Sequence, residues 1–371
     1  MKLLFLTNDL GGGGAERVLV NLANRLAERG HDITVRALVD YGINREFLSQ
    51  HVKYEYIYKR GFRGLNYLYK LPHRWIYKCI CFGEYDVIIP YLQGVLTKIV
   101  SYAPYSQKKV AWLHAEVVGS SKLFRITKNR NEFRQYFSKY NHIVCVSELS
   151  RTSLNKFTGL SECISVINNT FDVEGITSKA KVELPNNMDS VSDTIQLISI
   201  GKLSEVKGYK RLIKAFYKLV KEDSLNLSLK IIGEGEQRRE IESFAEEKGI
   251  KDLVLMPGFD SNPYKYLARS DLFVCSSYTE GYSSVVAESL ILGIPVITTD
   301  CPGMQEMLGD NEYGVITENS EEALYEGMKR LLLDPNLLAH YRNKAQERSA
   351  FFSPEQTVNA VERLLEKVIH E

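Results

Sequence analysis

The sequence predicts an α/β protein of two Rossmann-like domains, each with a parallel β-sheet that helices cover on both faces. The chain of 371 residues is longer than one ordinary hydrophobic core contains. In both halves, short apolar runs alternate with helical periodicity, which is typical of βαβ units. A stretch rich in Lys, Glu, Asn, Asp and Ser around Pro185 separates the two series. We therefore expect a first domain at residues 1–176, a linker at 177–194 and a second domain at 195–353.

The first domain begins with a buried strand at residues 2–7, a glycine-rich loop, and a helix that ends near Gly30. Further apolar runs predict its other strands, at residues 33–39, 87–90, 110–113 and 143–146. The second domain has five such runs, at residues 195–200, 227–232, 253–256, 272–275 and 295–299. Helical spacing separates several of them, at residues 209–222, 237–248 and 284–292. Ser353 and Pro354 predict the start of a final helix.

Composition is that of a globular enzyme, with 44% hydrophobic residues, 25% charged residues and a mean hydropathy of −0.21. The six cysteines form no CxxC pair, which argues against a zinc site or a disulfide framework. No apolar stretch is long enough to span a membrane, and the apolar run at the start is too short for a signal peptide. We therefore expect a cytoplasmic protein with reduced thiols.

The net charge of +1 hides two halves of opposite sign. Residues 1–172 contain 24 Lys and Arg against 14 Asp and Glu, whereas the remainder has a net charge of −9. This asymmetry favours different partners for the two halves, although uneven solvation of their surfaces would also produce it.

Four consecutive glycines, Gly11 to Gly14, lie between the first predicted strand and the first predicted helix. Glycine lets the backbone approach a ligand closely, and a helix N-terminus offers unpaired N–H groups to an anion. The spacing matches neither the dinucleotide-binding fingerprint nor a P-loop. A tight turn without a ligand is the alternative interpretation.

Two further clusters follow predicted strands of the second domain. Lys202 and Lys207 lie where a strand leads into a helix, so they could hold a diphosphate and stabilise its charge as it leaves. Taken alone, they would more simply be two solvated surface lysines. Glu280 precedes a predicted helix and Glu288 lies within it, and carboxylates accept hydrogen bonds from sugar and ribose hydroxyls.

In this order, the three clusters resemble the motifs of the retaining family-4 glycosyltransferases, which have the GT-B fold. The matching residues of the first half are 12–17, 112–116, 145–148 and 168–172. Those of the second half are 201–208, 233–235, 257–258 and 280–288. The resemblance covers nearly the whole chain. It implies two Rossmann-like domains that face each other across a cleft, with a C-terminal helix at residues 354–371 that packs back on the N-terminal domain.

The resemblance also implies which residues bind the nucleotide-sugar donor. This set is Gly13, Gly14, Lys202, Lys207, Glu280, Gly281, Tyr282, Ser283, Ser284, Val285 and Glu288. Glu280 would bind the sugar hydroxyls, Glu288 would hold the ribose, and the residues that follow Glu280 would offer backbone N–H groups to the phosphates. Gly12 would lie on the acceptor side.

The catalytic residues implied by the resemblance are His114, Glu280, Lys202 and Lys207. His114 would contact the transferred sugar near its reacting carbon, although a lone histidine is more often part of a core or a cleft. The two lysines would hold the diphosphate in the role that a metal ion has in other transferases. We therefore expect neither a metal nor any other cofactor.

Two positions depart from the family pattern. The first basic position is usually arginine and here is Lys202, which loses the bidentate geometry of a guanidinium. The usual Asn-Gly-x-Asp at the domain boundary is Asn169-Thr170-Phe171-Asp172, so the turn there cannot depend on glycine.

The implied reaction moves a hexose or N-acetylhexosamine from a nucleotide sugar, such as a UDP-sugar, to a glycan acceptor with retention of anomeric configuration. The departing phosphate itself would help to deprotonate the acceptor in a front-side attack. Bacterial enzymes of this type make cell-surface polysaccharides, including capsule. Two alternatives stay open: a GT-B sugar-nucleotide 2-epimerase, and a non-catalytic sugar-nucleotide-binding partner subunit.

A basic and aromatic segment of the first domain predicts the acceptor side. Residues 59–78 contain six Lys and Arg, among them Arg60, Arg63 and Lys70, and no acid. Residues 121–140 are also basic, with Glu132 as their one acid. Such segments suit the headgroups of an anionic membrane, so we expect reversible docking on the inner face of the cell membrane and a polyisoprenyl-diphosphate-linked acceptor rather than nucleic acid. An ordinary basic helix over the sheet is the alternative.

Overall fold

The computed structural model describes residues 1–61, 64–114, 129–184, 194–280 and 282–371. Within these ranges the chain divides into two compact units. The first unit comprises Met1–Phe171 and Pro354–Glu371, and the second comprises Asp172–Ser353. Each unit contains one parallel sheet, which confirms the predicted α/β architecture.

The sheet of the first unit contains seven parallel strands in the described residues. They are β1 (Lys2–Thr7), β2 (Asp32–Val39), β3 (Val52–Tyr58), β4 (Val87–Pro90), β5 (Lys108–Leu113), β6 (His142–Cys145) and β7 (Ile164–Val166). Their order is β3-β2-β1-β4-β5-β6-β7. Consecutive residues of β1 are buried from the second residue onwards, because helices cover both faces of the sheet at its centre.

The sheet of the second unit repeats this topology. Its strands in the described residues are β8 (Ile195–Ile200), β9 (Leu227–Ile232), β10 (Val254–Gly258), β11 (Leu272–Cys275), β12 (Val296–Thr299) and β13 (Val315–Thr317). Their order is β10-β9-β8-β11-β12-β13. In both sheets the strand order reverses next to the first strand, between β1 and β4 and between β8 and β11. Ligands of doubly wound sheets bind at the carboxyl ends of the strands at such a switch point.

Fourteen α-helices lie in the described residues. Those before residue 172 are α1 (Gly14–Glu28), α2 (His73–Ile80), α3 (Val95–Val100), α4 (Arg130–Phe137) and α5 (Glu148–Thr158). Those of the second unit are α6 (Val173–Ala180), α7 (Tyr209–Lys221), α8 (Arg238–Glu247), α9 (Tyr264–Leu267), α10 (Ser284–Ile291), α11 (Met304–Leu308), α12 (Glu321–Leu333) and α13 (Pro335–Ser349). The last is α14 (Pro354–His370). None of these helices is long and apolar enough to cross a lipid bilayer.

The C-terminal helix α14 packs on the first unit, as predicted. One face of α14 is apolar and buried, and consists of Val358, Val361, Leu364, Leu365 and Val368. At its edge, Arg29 Nη1 lies 2.5 Å from Glu362 Oε2, and His31 Nε2 lies 2.9 Å from Glu362 Oε1. The chain therefore returns to the unit in which it began.

The structure differs from the sequence prediction at three strands and at the linker. The edge strand β3 was missed because charged residues interrupt its alternation, and β7 and β13 because each has only three residues. The predicted linker 177–194 begins too early, since its first four residues belong to α6. Polar composition there reflects an exposed helix and not a linker. Residues 185–193 lie outside the described residues.

Candidate active site

Lys207 and Glu280 meet at the switch point of the second unit. Lys207 follows β8 and Glu280 follows the neighbouring strand β11, and 2.7 Å separates Lys207 Nζ from Glu280 Oε1. The same oxygen accepts a hydrogen bond of 2.5 Å from Ser277 Oγ. The two side chains are 30% and 11% exposed, so part of the lysine still reaches solvent. The structure thus brings together a cation and a carboxylate that the sequence predicted separately.

A close backbone approach makes this pairing possible. Gly208 has a φ of +66°, and a Cβ there would lie 2.0 Å from the carbonyl oxygen of Ser276. Ser276 Oγ donates to Lys207 O at 2.9 Å, and Tyr278 N donates to Val206 O at 2.8 Å. Only glycine allows the loop before α7 to lie this close to the segment after β11.

Lys202 lies in the loop directly after β8, and its side chain is exposed. The residues on both sides of Lys202 contact the loop after β9. Leu203 N donates to Glu234 O at 2.9 Å, and a Cβ on Gly233 would lie 1.9 Å from Gly201 O. Among the described residues, Lys202 has no ion-pair partner within 4.0 Å. An exposed cation on a rigid loop is suited to bind an anion.

The N-terminus of α10 lies on the same segment. Ser283 occupies the N-cap position without a side-chain hydrogen bond to the helix, and the first turn, which begins with Ser284 and Val285, has no acidic residue. The leading N–H groups therefore stay available to an anion. Tyr282 precedes the cap, and Gly281 lies outside the described residues.

Glu288 lies in the middle of α10 and is half-buried. Tyr264 Oη donates to Glu288 Oε1 at 3.3 Å. Sequence reasoning missed Tyr264, because α9 is a single short turn without a recognisable motif.

In the first unit, the glycine loop follows β1 and is held by Asn44. Asn44 is 3% exposed, and its Nδ2 donates to Gly11 O and, at 3.3 Å, to Gly13 O. A Cβ on Gly12 would have no heavy atom within 4 Å, so the loop stays open at this position. Asn44 was not predicted because it lies outside the motif.

At the start of α1, where the sequence predicted a phosphate, the structure places a carboxylate of the protein itself. A Cβ on Gly13 would lie 2.2 Å from Glu16 Oε2, so the Glu16 carboxylate lies over the N-terminal turn. A phosphate at Gly13 and Gly14 would have to displace this carboxylate.

His114 follows β5 and packs against Tyr91, with 4.6 Å between the ring centroids. The residue keeps part of its surface exposed, but its Nε2 atom is buried and has no hydrogen-bond partner in the described residues. Burial lowers the pKa of His114 to about 3. The imidazole is therefore neutral at pH 7, and can donate or accept a hydrogen bond without a full charge.

The unusual boundary turn forms without glycine. In the described residues, the non-glycine residues with positive φ are Cys163, Ser224 and Asn311, so Thr170 has an ordinary backbone conformation. Asp172 then caps α6 by accepting a hydrogen bond from Gly175 N at 3.0 Å.

Two sequence families match the chain. Residues 12–174 match the family described as Glycosyltransferase Family 4, and residues 182–348 match the family described as Glycosyl transferases group 1. With the two parallel sheets, these matches define the protein as a glycosyltransferase of the GT-B fold. The chain belongs to the family-4 glycosyltransferases, which confirms the resemblance seen in its motifs.

Among curated relatives, the chain is 34% identical over 189 residues to the N-acetylgalactosamine-N,N'-diacetylbacillosaminyl-diphospho-undecaprenol 4-alpha-N-acetylgalactosaminyltransferase of Campylobacter jejuni. This match covers 50% of the chain and 49% of the relative, so the chain is matched over about half the length of that protein. It is 26% identical to the lipopolysaccharide core biosynthesis glycosyltransferase LpsD of Rhizobium meliloti, over 88% of the chain and 86% of the relative.

Among solved structures, Anabaena Alr3699/HepE in complex with UDP has a TM-score of 0.80 to this chain. The alignment covers 99% of this chain and 100% of that one, at 20% sequence identity. At this identity, the likeness shows the GT-B fold alone.

The neutral state of His114 predicts a pH dependence of stability. The unfolded chain binds a proton near pH 6.5, but the folded chain binds it only near pH 3, so stability is lost as the pH falls from 6.5 towards 3. We expect the free energy of unfolding to fall more steeply in the wild type than in H114Q, by up to about 1.4 kcal/mol per pH unit. Trp75 and Trp112 both lie in the first unit, so their fluorescence during urea unfolding reports on this unit. The exposed His370 provides the control variant H370Q, and equal pH dependence of wild type and H114Q would contradict the assignment.

Proposed function

We propose that this glycosyltransferase transfers a hexose or N-acetylhexosamine from a UDP-sugar to a lipid-linked glycan, with retention of configuration, during synthesis of a cell-surface polysaccharide. The observation that carries the proposal is the Lys207–Glu280 pair at the switch point of the second unit. The relative in Campylobacter jejuni is named for an undecaprenol-linked acceptor, and Anabaena Alr3699/HepE has been solved with UDP and with UDP-glucose. These names support the choice of donor and acceptor.

The residues of the second unit can bind a UDP-sugar in three ways. Lys202 and Lys207 offer positive charge to the diphosphate, which the N–H groups at the start of α10 also bind. Glu280 Oε1 is engaged by Lys207 and Ser277, but Oε2 accepts no hydrogen bond from the described residues and can accept one from a sugar hydroxyl. Glu288 would accept hydrogen bonds from the ribose.

Retention follows from attack on the face from which UDP departs. The bond between the anomeric carbon and the phosphate oxygen breaks, and the acceptor oxygen forms its bond on the same face. The acceptor proton passes to the departing phosphate oxygen, so no carboxylate nucleophile is required. The lysines stabilise the charge on the departing diphosphate.

The donor-site assignment predicts the effect of two substitutions. K207A and E288A should each lower kcat/KM about ten- to a hundredfold, because each removes a charge-assisted hydrogen bond worth roughly 1.5–3 kcal/mol. The matched control is K210A, because Lys210 lies three residues from Lys207 and pairs with Glu240 at the protein surface. The measurement is the initial rate of transfer by each folded variant. Unchanged kinetics in both K207A and E288A would exclude the donor site proposed above.

We expect transfer to be independent of metal ions. The described residues contain no group of three or more His, Cys, Asp and Glu that could hold a metal, and the proposed diphosphate site is cationic. UDP release should require acceptor and should continue in EDTA. Loss of activity in EDTA with recovery in magnesium or manganese would contradict the lysine-based mechanism. UDP release without acceptor would favour the epimerase, and binding without release would favour the non-catalytic subunit.

The first unit has an exposed surface suited to a membrane. The 3-10 helix Leu65–Lys70 and the following α2 expose Tyr67 at 59%, Leu71 at 39% and Trp75 at 58%. Exposed basic residues lie among them, namely Lys70, Arg74 and Lys78. The opposite side of these helices is buried in the core through Leu68, Ile76 and Ile80. Aromatic and basic side chains on one face favour contact with anionic headgroups.

Neutralising basic residues of the segment 59–78 should weaken membrane binding. Each basic side chain near an anionic surface contributes about 1 kcal/mol, so the triple variant of Arg60, Arg63 and Lys70 to Ala should bind at least about tenfold more weakly. Arg63 lies outside the described residues. The control is K210A/K214A/K218A, which removes the same charge from the second unit. Co-sedimentation with anionic and with neutral vesicles measures binding. Equal, negligible binding of the wild type to both kinds of vesicle would favour a soluble acceptor.

A further inference from the structure

Arg211 lies in the first turn of α7, and the mechanism above does not use it. Its side chain is almost fully buried, at 2% exposure. Its Nε donates to Ser276 O at 2.7 Å, its Nη1 donates to Asn319 Oδ1 at 2.7 Å, and its Nη2 donates to Ser277 O. None of these partners is a carboxylate. Arg211 Nη2 also donates to Thr299 Oγ1 at 3.3 Å. A buried charge whose hydrogen-bond partners are all uncharged oxygens is costly to maintain, so its position calls for an explanation beyond packing.

The carbonyl oxygen of Ser277 is the centre of this network. Besides Arg211 Nη2, it accepts hydrogen bonds from Thr299 Oγ1 at 2.6 Å and from Cys301 Sγ at 3.0 Å. The peptide plane after Ser277 therefore cannot rotate without the loss of three hydrogen bonds.

Asn319 extends the network by one residue. Its Oδ1 is held by Arg211, and its Nδ2 donates to Tyr278 O at 2.9 Å and to Asp300 O at 3.0 Å. The ring of Tyr278 lies over the guanidinium, with 4.0 Å between Arg211 Cζ and the ring centroid. Three consecutive carbonyl groups, at residues 276–278, are thus bound by one arginine and one asparagine.

The side chains of this segment orient the proposed donor-binding groups. Ser277 Oγ donates to Glu280 Oε1, and Ser276 Oγ donates to the backbone carbonyl of Lys207. A rotation of the 276–278 backbone would move both hydroxyl groups, and Glu280 would lose its orientation. Displacements of about 1 Å in such supports can reduce catalysis a hundredfold.

We propose that Arg211, with Asn319, is a positioning residue of the donor site that holds residues 276–278 so that Glu280 faces the transferred sugar. The inference rests on the proposed function of Glu280. Ser277 Oγ binds the Glu280 carboxylate itself, whereas Ser276 Oγ binds only the backbone carbonyl of Lys207. The effect of Arg211 therefore falls mainly on the sugar half of the donor. UDP lacks the sugar, so its affinity should depend little on Arg211.

The variant R211K tests this, because lysine keeps the charge but cannot bind several oxygens in the fork geometry of a guanidinium. The probes are UDP and whichever of UDP-glucose, UDP-N-acetylglucosamine and UDP-N-acetylgalactosamine the wild type binds most tightly. We expect kcat to fall about ten- to a hundredfold, as for other supporting residues around a site. The dissociation constant of UDP should stay nearly unchanged, and the preference for the UDP-sugar over UDP should decrease.

Arg36 provides a buried-arginine control in the other unit, where it differs from Arg211 in also pairing with the Glu55 carboxylate. It is 1% exposed, and its Nη1 also donates to backbone carbonyls, at Ile80 and Phe82. R36K should lower the thermal midpoint but leave kcat and the sugar preference of the folded enzyme unchanged. If R211K does not fold, N319A removes the hydrogen bond to Tyr278 O while Arg211 stays, and we expect the same change in the kinetics with a smaller size.

Several results would overturn the inference. One is a folded R211K, or N319A in its place, with wild-type kcat and sugar preference. A second is R36K showing the same loss of kcat, since activity would then follow stability alone. A third is an equal loss of UDP and UDP-sugar affinity, which would mean that the whole site collapses. If the wild type bound no UDP at all, the donor site itself would be wrong, and the role of Arg211 with it.

Discussion

The backbone at Gly208 passes so close to the carbonyl of Ser276 that no side chain fits between them. The chemistry proposed for the second unit depends on this approach. It brings the loop after β8 next to the segment after β11, on the two sides of the point where the strand order reverses. Lys207 and Glu280 can then form an ion pair although they lie 73 positions apart in the chain. A larger residue at position 208 would push the two loops apart, although it would not itself replace Lys207 or Glu280.

The ion pair itself contributes little to the stability of the fold. Lys207 is 30% exposed, and pairs of this kind typically contribute about 0–1 kcal/mol. A pair of this strength leaves Lys207 available to the diphosphate of the proposed donor, while Ser277 Oγ still holds the Glu280 carboxylate. The rigid part of the site lies below the pair, where Arg211 and Asn319 bind the backbone. A functional side chain keeps its orientation when the backbone below it is held in this way.

The first unit places a neutral imidazole after β5 and a carboxylate at the start of α1. Burial keeps His114 neutral, and Glu16 covers the N-terminal turn of α1. Gly12 remains open, and Asn44 holds the loop around it. The exposed aromatic and basic residues near Trp75 lie on the 3-10 helix Leu65–Lys70 and on α2, and not on α1, which follows the glycine loop.

Much of the fold followed from the sequence, because buried parallel strands have apolar runs that local patterns reveal. Short or edge strands such as β7 and β3 were missed, since their burial depends on neighbours distant in the chain. The family motifs predicted His114, Lys207, Glu280 and Glu288 as site residues, and the structure brings Lys207 and Glu280 together. The sequence could not predict that Lys207 pairs with Glu280, that Asn44 holds the glycine loop, or that Arg211 supports residues 276–278. Those contacts join segments far apart in the chain, and only the tertiary structure determines which buried polar group meets which carbonyl.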